Sequence, residues 1–581
     1  MPAINTYSKK CNTNILVALL KHHNIRRVIA SPGSTNISFV RAVQNDPFFK
    51  VYSSVDERSA AYMACGMAAQ SGEPVVLSCT GATASRNYMS GLTEAFYRKL
   101  PILAVTSSQH LGHIGHMYPQ MLDRTTEPND ICKYSVQCPL VQSDEDLWAC
   151  ETSINQALIY LQDTNPGPVH INLVTDEFSE DNANAVRPKI QFIDYVKAGD
   201  DLPSLKQKRI AIFVGSHLAW PDSLVSSVEE FCKKYNAVVL GDHTSNYPGK
   251  YWIDSSLVLQ QAHYRTDLAK VDVMIHIGEI SGAYISLDAE EVWRVSPDGT
   301  VRDPFKKLRY IFDMEEEFFF HAYDSLKSTA GTDESYYNAW EKETASVYSL
   351  IPELPFSNAW CAQHTVDKLP KHSILHLGIL NSLRCWNYFP IDPTIRCYCN
   401  TGGFGIDGCM SSLIGASLVE PNKLFFGVVG DLACFYDLNS LGNRYVGPNI
   451  RIMVINNGIG AEFKNYSHIA AKFGDSANSF IAAAGHYGNQ SRTLLKHFAE
   501  DLGFTYLSAE NKTEFIENID LFTDKNGVNK PIIFEVFTDY HEESDALKAI
   551  QSIVVDRKSR VKGIAKKVIG QKGVDLVKKM L

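Results

Sequence analysis

Short apolar runs alternate with longer segments of helical periodicity through most of the chain, and this alternation constrains the fold more than any other feature. Short apolar runs between turn residues are typical of buried strands, and the segments between them are long enough for crossover helices. The pattern predicts an α/β protein of doubly wound parallel sheets. The candidate strands are Arg27–Ala30, Pro74–Cys79, Ile102–Thr106, Val169–Val174, Arg209–Val214, Ala237–Gly241, Val271–Ile277, Ser373–Leu377, Leu424–Val429, Ile450–Ile455 and Pro531–Phe537.

The chain has 581 residues, too many for one hydrophobic core. We expect three domains of this architecture, at residues 1–185, 186–355 and 356–545, and a basic C-terminal helical tail at 546–581. A polar linker, Asp181–Lys189, precedes the second domain, and Arg557–Leu581 carries nine Lys and Arg residues against one Asp. The tail is expected to pack on the last domain. The alternatives are a cover over the active site or a contact with an anionic substrate or membrane surface.

The composition argues against several classes of protein. A net charge of −10 disfavours a general nucleic-acid binder, and no apolar run approaches the roughly 20 residues that span a bilayer. The N-terminus lacks the basic and apolar regions of a signal peptide. Thirteen cysteines are scattered through apolar segments, which indicates buried free thiols. We therefore expect a cytoplasmic protein without membrane contact.

The segment from Gly430 to Gly458 places polar residues directly after two predicted strands. Asp431 follows the run Leu424–Val429, and Asn457 lies 26 residues further on, after Ile450–Ile455. This spacing fits a βαβ crossover, with a helix expected to begin in Tyr436–Leu441, so both side chains emerge at the ligand-binding edge of the sheet. Carboxylate, amide and carbonyl oxygens suit Mg²⁺, and a helix N-terminus suits phosphate. The segment predicts a site for magnesium and a diphosphate.

A second candidate is Glu57, which opens a predicted helix rich in small residues. Ala60, Ala61 and Ala64 follow it closely. On its own, Glu57 is also consistent with a first-turn acid that the helix dipole favours. Its role therefore depends on what the rest of the chain resembles.

The Asp431–Asn457 spacing resembles the thiamine-diphosphate motif, and a larger set of motifs extends the resemblance along nearly the whole chain. Together they look like the menaquinone-pathway family of 2-succinyl-5-enolpyruvyl-6-hydroxy-3-cyclohexene-1-carboxylate synthases. The motifs are SPGS (Ser31–Ser34), DERSA (Asp56–Ala60), CTGATASRN (Cys79–Asn87), DGTVRDP (Asp298–Pro304), LNSL (Leu380–Leu383), GIDG (Gly405–Gly408) and GDLACFYDLNSL (Gly430–Leu441).

The resemblance implies a pyrimidine-binding, a central and a diphosphate-binding domain, with thiamine diphosphate and Mg²⁺ as cofactors. It implies at least a homodimer, or a homotetramer, because the cofactor lies between domains of different subunits in that family. Glu57 then hydrogen-bonds the aminopyrimidine, and Ser34 and Gln120 face the substrate. The residues implied at the cofactor are Asn381, Ser382, Gly405, Ile406, Asp431, Leu432, Ala433 and Asn457, with Asp431, Asn457 and the carbonyl of Ile459 on the metal.

The chain departs from that family at the basic residues that bind its substrates' carboxylates. Thr35 and Thr401 stand where the family has Arg, and Gly278–Asp288 offers no Lys-Arg pair. Arg384 follows the LNSL motif directly, whereas the family's Arg comes two residues later. Arg–carboxylate contacts are strong and specific, so their loss predicts a different substrate. We expect a relative with a less anionic or differently charged acceptor, with Thr35 and Thr401 at the substrate.

Three histidines, His110, His113 and His116, recur every third residue. They could mark one face of a helix with a surface or capping role. Some thiamine-diphosphate decarboxylases carry histidines in this part of the first domain for proton transfer, and the imidazole pKa suits that work. His113 and His116 are therefore candidate catalytic residues, with Gln120 nearby.

Three functions follow from these observations. The first is a thiamine-diphosphate-dependent 2-oxo acid decarboxylase that transfers the enamine to a carbonyl or enoate acceptor. The second is a non-ligating decarboxylase, or an enzyme like acetolactate synthase, although Phe213–His217 is not a G-x-G-x-x-G loop and gives no support for FAD. The third is a non-catalytic binding protein, which the retention of Glu57, Asp431 and Asn457 disfavours.

Overall fold

The computed structural model describes residues 8, 10–81, 83–118, 120–175, 189–218, 220–283, 287–326, 333–525 and 529–554. The chain divides into two compact units, which are treated separately below. Unit 1 comprises residues 1–200 and 298–313, and unit 2 comprises residues 201–297 and 314–581.

Unit 1 is built on a six-stranded, all-parallel sheet with the strand order β2-β1-β3-β4-β6-β5. The central strands are buried along their length, as expected for parallel strands covered on both faces. The strands are β1 (Arg27–Ala30), β2 (Lys50–Ser53), β3 (Val75–Thr80), β4 (Ile102–Ser108), β5 (Tyr134–Cys138) and β6 (Val169–Val174).

Helices cover both faces of this sheet. Alternate strand residues face opposite ways, so that Val76 and Leu103 enter one hydrophobic cluster while Leu77 and Ala104 enter the other. The first cluster includes α1, α2 and α6, and the second includes α3 and α5. The helices are α1 (Cys11–His22), α2 (Ile37–Gln44), α3 (Glu57–Ser71), α4 (Thr83–Asn87), α5 (Met89–Arg98) and α6 (Asp144–Gln162).

Unit 2 contains five parallel strands of the second sheet, in the order β10-β9-β8-β11-β12. The last two strands in the order of this sheet, the parallel pair β13 and β7, belong to unit 1. The elements of this part of the chain are β7 (Asp194–Lys197), β8 (Ile210–Val214), α7 (Asp222–Tyr235), β9 (Val238–Gly241), β10 (Trp252–Ile253), α8 (Ser256–Leu259), β11 (Lys270–Ile277), β12 (Asp288–Val295), β13 (Leu308–Asp313), α9 (Glu316–Ser325) and α10 (Ser335–Tyr348).

The third sheet, also in unit 2, has six parallel strands in the order β15-β14-β16-β17-β19-β18. Its order repeats that of the first sheet strand for strand. Its elements are α11 (Asn358–Thr365), β14 (Ile374–Leu377), α12 (Asn381–Trp386), β15 (Arg396–Tyr398), α13 (Cys409–Val419), β16 (Phe425–Gly430), α14 (Asp431–Tyr436), β17 (Ile450–Asn456), α15 (Leu494–Asp501), β18 (Thr505–Ala509), α16 (Lys512–Thr523), β19 (Ile532–Phe537) and α17 (Tyr540–Gln551).

The predicted fold class, three parallel sheets with helices, is confirmed. One local expectation is wrong. Helix α14 begins at Asp431, and Leu438–Gly442 forms a 3-10 turn, so the crossover helix does not start at Tyr436. The domain boundaries remain a prediction. The one at 545 falls within α17, and the tail from residue 555 onwards lies outside the described residues.

Two further expectations concern membranes and cysteines. No helix in the described part of the chain is long and apolar enough to cross a bilayer. All thirteen cysteines lie in the described part, and each is a free thiol. Most are buried, and burial raises the pKa of Cys65 to about 11 and that of Cys132 to about 11, so these thiols stay protonated and act as small apolar side chains.

Helices α3 and α5 approach closely at Gly91, and this contact gives a stability prediction. A Cβ added at Gly91 would lie 2.4 Å from the Cβ of Ala61. We expect Gly91→Ala to lower the free energy of unfolding by about 1–3 kcal/mol, because the two helices must separate. Ser90→Ala, at an exposed position of the same helix, is the control and should change it by less than about 0.5 kcal/mol. Urea unfolding measures both, and equal stability of the two variants would contradict the proposed packing.

Candidate active site

The third sheet has a topological switch point between β14 and β16. From β14 the chain leaves toward β15 on one side, whereas β16 leads to β17 on the other. The loops that follow the two strands therefore diverge and open a crevice at the carboxyl edge of the sheet, where α/β proteins bind ligands. Gly378–Asn381 follows β14, and Asp431 follows β16.

A cavity of about 200 Å³ lies in this crevice, and it brings together most of the residues expected at the diphosphate and the metal. Most of its walls come from the loops and helix starts that follow β14, β16 and β17, which are neighbours in the sheet. Of the predicted residues, those that line it are Asn381, Ser382, Ile406, Asp431, Leu432, Ala433, Asn457 and Ile459. Residues distant in sequence are thus gathered by the sheet topology alone.

Asp431 is the buried acid of this cavity. It is the first residue of α14, is 5% exposed, and its Oδ2 accepts a hydrogen bond of 3.0 Å from the backbone N–H of Gly458. Burial raises the pKa of Asp431 to about 7, against the hydrogen bonds that favour its charged form. A carboxylate held in this way is stabilised by a cation at the same place.

The loop after β17 supplies the other oxygens. The Asn457 Oδ1 accepts the N–H of Ile459 at 3.3 Å, and Gly458 adopts a left-handed backbone with φ of +71°. This turn ties the loop to Asp431. The carboxylate of Asp431, the amide oxygen of Asn457 and the carbonyl of Ile459 are hard oxygen donors, a set that suits Mg²⁺ with phosphate oxygens and water completing its octahedron.

Two further acids near the cavity escaped the sequence analysis. Glu543, in the first turn of α17, lines it, and both carboxylate oxygens accept the N–H of Asn358 at 3.0 Å. Burial raises the pKa of Glu543 to about 7, and burial also raises the pKa of Glu535, which accepts a 2.7 Å hydrogen bond from Asn456. Glu535 lies within β19, the strand next to β17, and Glu543 lies in the helix that follows it, so neither directly follows a strand end as Asp431 does.

A network of hydrogen bonds and an ion pair holds the side chain of Asn381, which is predicted to lie near the diphosphate. Arg384 forms a two-pronged ion pair with Glu462, at 2.6 and 3.1 Å, and donates to the Asn381 Oδ1 at 2.8 Å. Asn465 donates to the same Oδ1 at 3.0 Å. The preceding Leu380 has a positive φ of 69°, which is strained for a branched side chain and is retained only where the surroundings impose it.

The remaining predicted residues of unit 2 lie outside this cavity. Thr401 is 5% exposed, and its hydroxyl donates to the Ser216 Oγ at 3.4 Å. Gly405 precedes Ile406 in the loop before α13. The substrate role of Thr401 and the cofactor role of Gly405 remain predictions.

Glu57 lies in unit 1 as the first residue of α3, which is capped by Asp56 through a 3.0 Å bond to the Ser59 N–H. Its side chain is half-buried, and its Oε2 accepts a 3.2 Å hydrogen bond from the Asn87 Nδ2. The Asn87 amide thus fixes the direction of the carboxylate. Asn87 is the last residue of the CTGATASRN motif, and nothing in the sequence indicated its contact with Glu57.

Ser34 and Thr35 lie in unit 1 beside the equivalent switch point, between β1 and β3. Ser34 is exposed, whereas the buried Thr35 hydroxyl donates to the carbonyl of Ser107 at 2.6 Å and contacts the Thr80 hydroxyl at 2.6 Å. Thr35 therefore holds the loop after β1 to the ends of β3 and β4. Its contact with a substrate remains a prediction, as does that of Ser34.

The histidine segment does not form one helical face. Leu111–His113 is a single 3-10 turn, and His113 stacks on Tyr118 with ring centroids 3.9 Å apart. The Nδ1 of His113 is buried without a hydrogen-bond partner in the described residues, whereas His116 and Gln120 are exposed. Their catalytic roles remain predictions.

The proteins to which this chain is similar belong to the class that the predicted site residues indicate. Residues 12–126 match the family described as thiamine pyrophosphate enzyme, N-terminal TPP binding domain. The chain is also similar to proteins named 2-succinyl-5-enolpyruvyl-6-hydroxy-3-cyclohexene-1-carboxylate synthase. Those of Bacteroides fragilis and Bacteroides thetaiotaomicron are each 29% identical, with 93% of this chain and 98% of the relative covered. The one of Flavobacterium johnsoniae is 28% identical with the same coverage.

The burial of Asp431 predicts opposite effects of one substitution on stability and on ligand binding. In metal-free protein the raised pKa means that the Asp431 carboxyl costs no stability below pH about 4, and that the cost is complete above pH about 7. Asp431→Asn should therefore be more stable than the parent at pH 8, by up to about 4 kcal/mol, and equally stable at pH 4. The same variant should lose at least about 100-fold in Mg²⁺-dependent affinity for thiamine diphosphate.

Urea unfolding in EDTA and calorimetric titration measure the two effects. Asp475→Asn, at a side chain 88% exposed, is the control and should change neither. Retention of Mg²⁺-dependent binding by Asp431→Asn, or an equal stability effect at both pH values, would contradict this account of the site.

Proposed function

We propose that this chain, whose residues 12–126 match the N-terminal TPP binding domain of thiamine pyrophosphate enzymes, decarboxylates a 2-oxo acid and transfers the remaining fragment to a carbonyl or enoate acceptor. The similarity of nearly the whole chain to named synthases supports this reaction class. The observation that carries the proposal is the cavity at the switch point of the third sheet. Eight residues expected at a magnesium-bound diphosphate line that one cavity.

In this proposal Mg²⁺ is held by Asp431, Asn457 and the carbonyl of Ile459. The backbone at Leu432 and Ala433, in the first turn of α14, lies beside the diphosphate. Bound thiamine diphosphate supplies the electron sink that accepts the charge left by CO₂. The apolar side chain of Ile406 and the depth of the crevice keep water away from it.

The Glu57 carboxyl would exchange a proton with the aminopyrimidine of the bound cofactor. Asn87 bonds the Glu57 Oε2, which leaves the other carboxylate oxygen free to hold that proton. We propose a homodimer or homotetramer, as the resemblance to the synthase family implies. We also propose that the enzyme acts in the cytoplasm.

One observation favours a second candidate, a decarboxylase without ligation. His113 is half-buried with an unpartnered Nδ1, in the described residues, and stacks on Tyr118. An imidazole with a free ring nitrogen is suited to protonate a reacting carbon. In this alternative reaction, the fragment left after decarboxylation takes up a proton instead of reacting with an acceptor.

Glu57→Gln separates cofactor binding from catalysis. The variant should bind thiamine diphosphate and Mg²⁺ within about threefold of the parent, because the diphosphate contacts are unchanged. CO₂ release from 2-oxo acids should fall by about 10²–10⁴-fold, since the amide cannot exchange the proton. Glu94→Gln, on α5 with only an exposed ion pair to Arg98, is the control. Full activity of Glu57→Gln would remove Glu57 from the mechanism.

Product analysis distinguishes the two candidate reactions. Pyruvate and 2-oxoglutarate are incubated with the holoenzyme and a panel of aldehydes, ketones and enoates, and the products are identified by mass. Ligation predicts a product that contains both substrates. If simple decarboxylation is the reaction, His113→Gln should slow aldehyde release at least about tenfold. If ligation is the reaction, the same variant should form the ligated product at an unchanged rate. An aldehyde as sole product with every acceptor would rule out the ligase.

A further inference from the structure

A second, larger cavity of about 790 Å³ adjoins the diphosphate cavity within unit 2. Four parts of the chain form it: the turn after α8, helix α12, the segment from Glu462 to His468, and the outer face of α17. Glu462 lines both cavities. None of the residues assigned above to the cofactor or the substrate lines this second cavity. It is connected to them through Arg384, which bonds both Asn381 and Glu462.

Positive charge dominates the walls of the second cavity. Arg265, Arg384 and Lys548 line it, and Glu462 is the one carboxylate among its lining residues, all of which are described. Three cations from three separate elements thus surround a concave surface with an excess of two positive charges. A concave surface lined by one sign of charge concentrates the field and attracts ions of the opposite sign.

Arg265 and Lys548 have no carboxylate partner in the described part of the chain. The Nη1 of Arg265 donates to the carbonyls of Gln261 and Tyr264, at 2.5 and 2.9 Å, which holds the guanidinium in place. The Nζ of Lys548 lies 5.3 Å from the centre of the Tyr466 ring. Both side chains are therefore oriented by neutral groups and keep their charge available to a ligand.

Arg384 and Asn465 connect this cavity to the first one. Glu462 neutralises Arg384 in the present arrangement, and Asn465 donates to both Glu462 and Asn381. Asn465 is 5% exposed, and its Oδ1 has no hydrogen-bond partner in the described residues. A buried acceptor left in this state is costly, and a ligand hydroxyl or an ordered water would satisfy it.

We propose that this second cavity binds a small polyanion, a molecule with two or more carboxylate or phosphate groups, through Arg265, Lys548 and Arg384. The anion shares Arg384 with Glu462, so its binding is linked to the Asn381 side of the diphosphate cavity. The anionic groups belong either to the substrate or to a separate effector. Binding itself is independent of the proposed reaction, since it requires no turnover.

The test uses the full-length protein with saturating thiamine diphosphate and Mg²⁺, so that the first cavity is filled. Inorganic phosphate and succinate are titrated by calorimetry at constant ionic strength, with chloride as the reference anion. The parent should bind with a millimolar Kd. Arg265→Gln and Lys548→Gln should each weaken binding at least about threefold, and the double variant at least about tenfold. Arg444→Gln is the matched control, since Arg444 is exposed and its recorded contact is also with a tyrosine ring, that of Tyr445.

Kinetics then identify the source of the anion. If the anionic groups belong to the substrate, phosphate inhibits competitively and Arg265→Gln raises KM with little change in kcat. If they belong to an effector, phosphate changes kcat or the affinity for thiamine diphosphate without competing with substrate. The proposal is overturned if the parent binds neither probe beyond the chloride reference, or if the double variant binds as tightly as Arg444→Gln. Absence of turnover would contradict the proposed function and leave the binding result intact.

Discussion

A carboxylate buried at the switch point of the third sheet is the constraint on which the rest of the site depends. Asp431 is placed there by the end of β16 and held by the Gly458 N–H. Glu535 raises the pKa of Asp431 further, and Asp431 in turn raises that of Glu543, so three acids share one poorly solvated region. Buried like charges are unfavourable without a counterion. A cation bound among these carboxylates would therefore stabilise this region of the protein.

The first and third sheets share one strand order, and this repetition explains why each carries a polar switch point. In both sheets the chain turns back after its first strand and crosses over to its third. The loops at those strand ends hold Ser34 and Thr35 in unit 1, and Asn381 and Asp431 in unit 2. Parallel strands bury their middles on both faces, so the strand ends are where solvent-accessible polar groups can collect. Two similar folds thus differ in what they carry near this edge: unit 1 holds the carboxylate of Glu57 bonded to Asn87, and unit 2 holds an oxygen-lined cavity.

The sequence predicts the sheets well where strands are continuous apolar runs, and poorly elsewhere. β17 is found almost to the residue, because every residue of Ile450–Ile455 except Arg451 is apolar. β2 is missed because each of its residues is exposed and it lies at the sheet edge, where no apolar run is required. Asp431 and Asn457 are predicted from strand ends and spacing. Glu462 and Glu543 are not, because their positions follow from tertiary contacts with Arg384 and the Asn358 N–H.

The strained start of α12 shows how the two cavities of unit 2 are mechanically joined. A positive φ at Leu380 costs about 1–3 kcal/mol and needs compensation. The Gly378 N–H bond to the Val428 carbonyl, at 2.7 Å, fixes the chain on one side of Leu380, and the Arg384 guanidinium bonded to Asn381 and Glu462 fixes it on the other. A ligand that draws Arg384 away from Glu462 therefore removes part of that compensation. Because Leu380 directly precedes Asn381, an anion bound as proposed in the larger cavity would act on the smaller cavity through this turn.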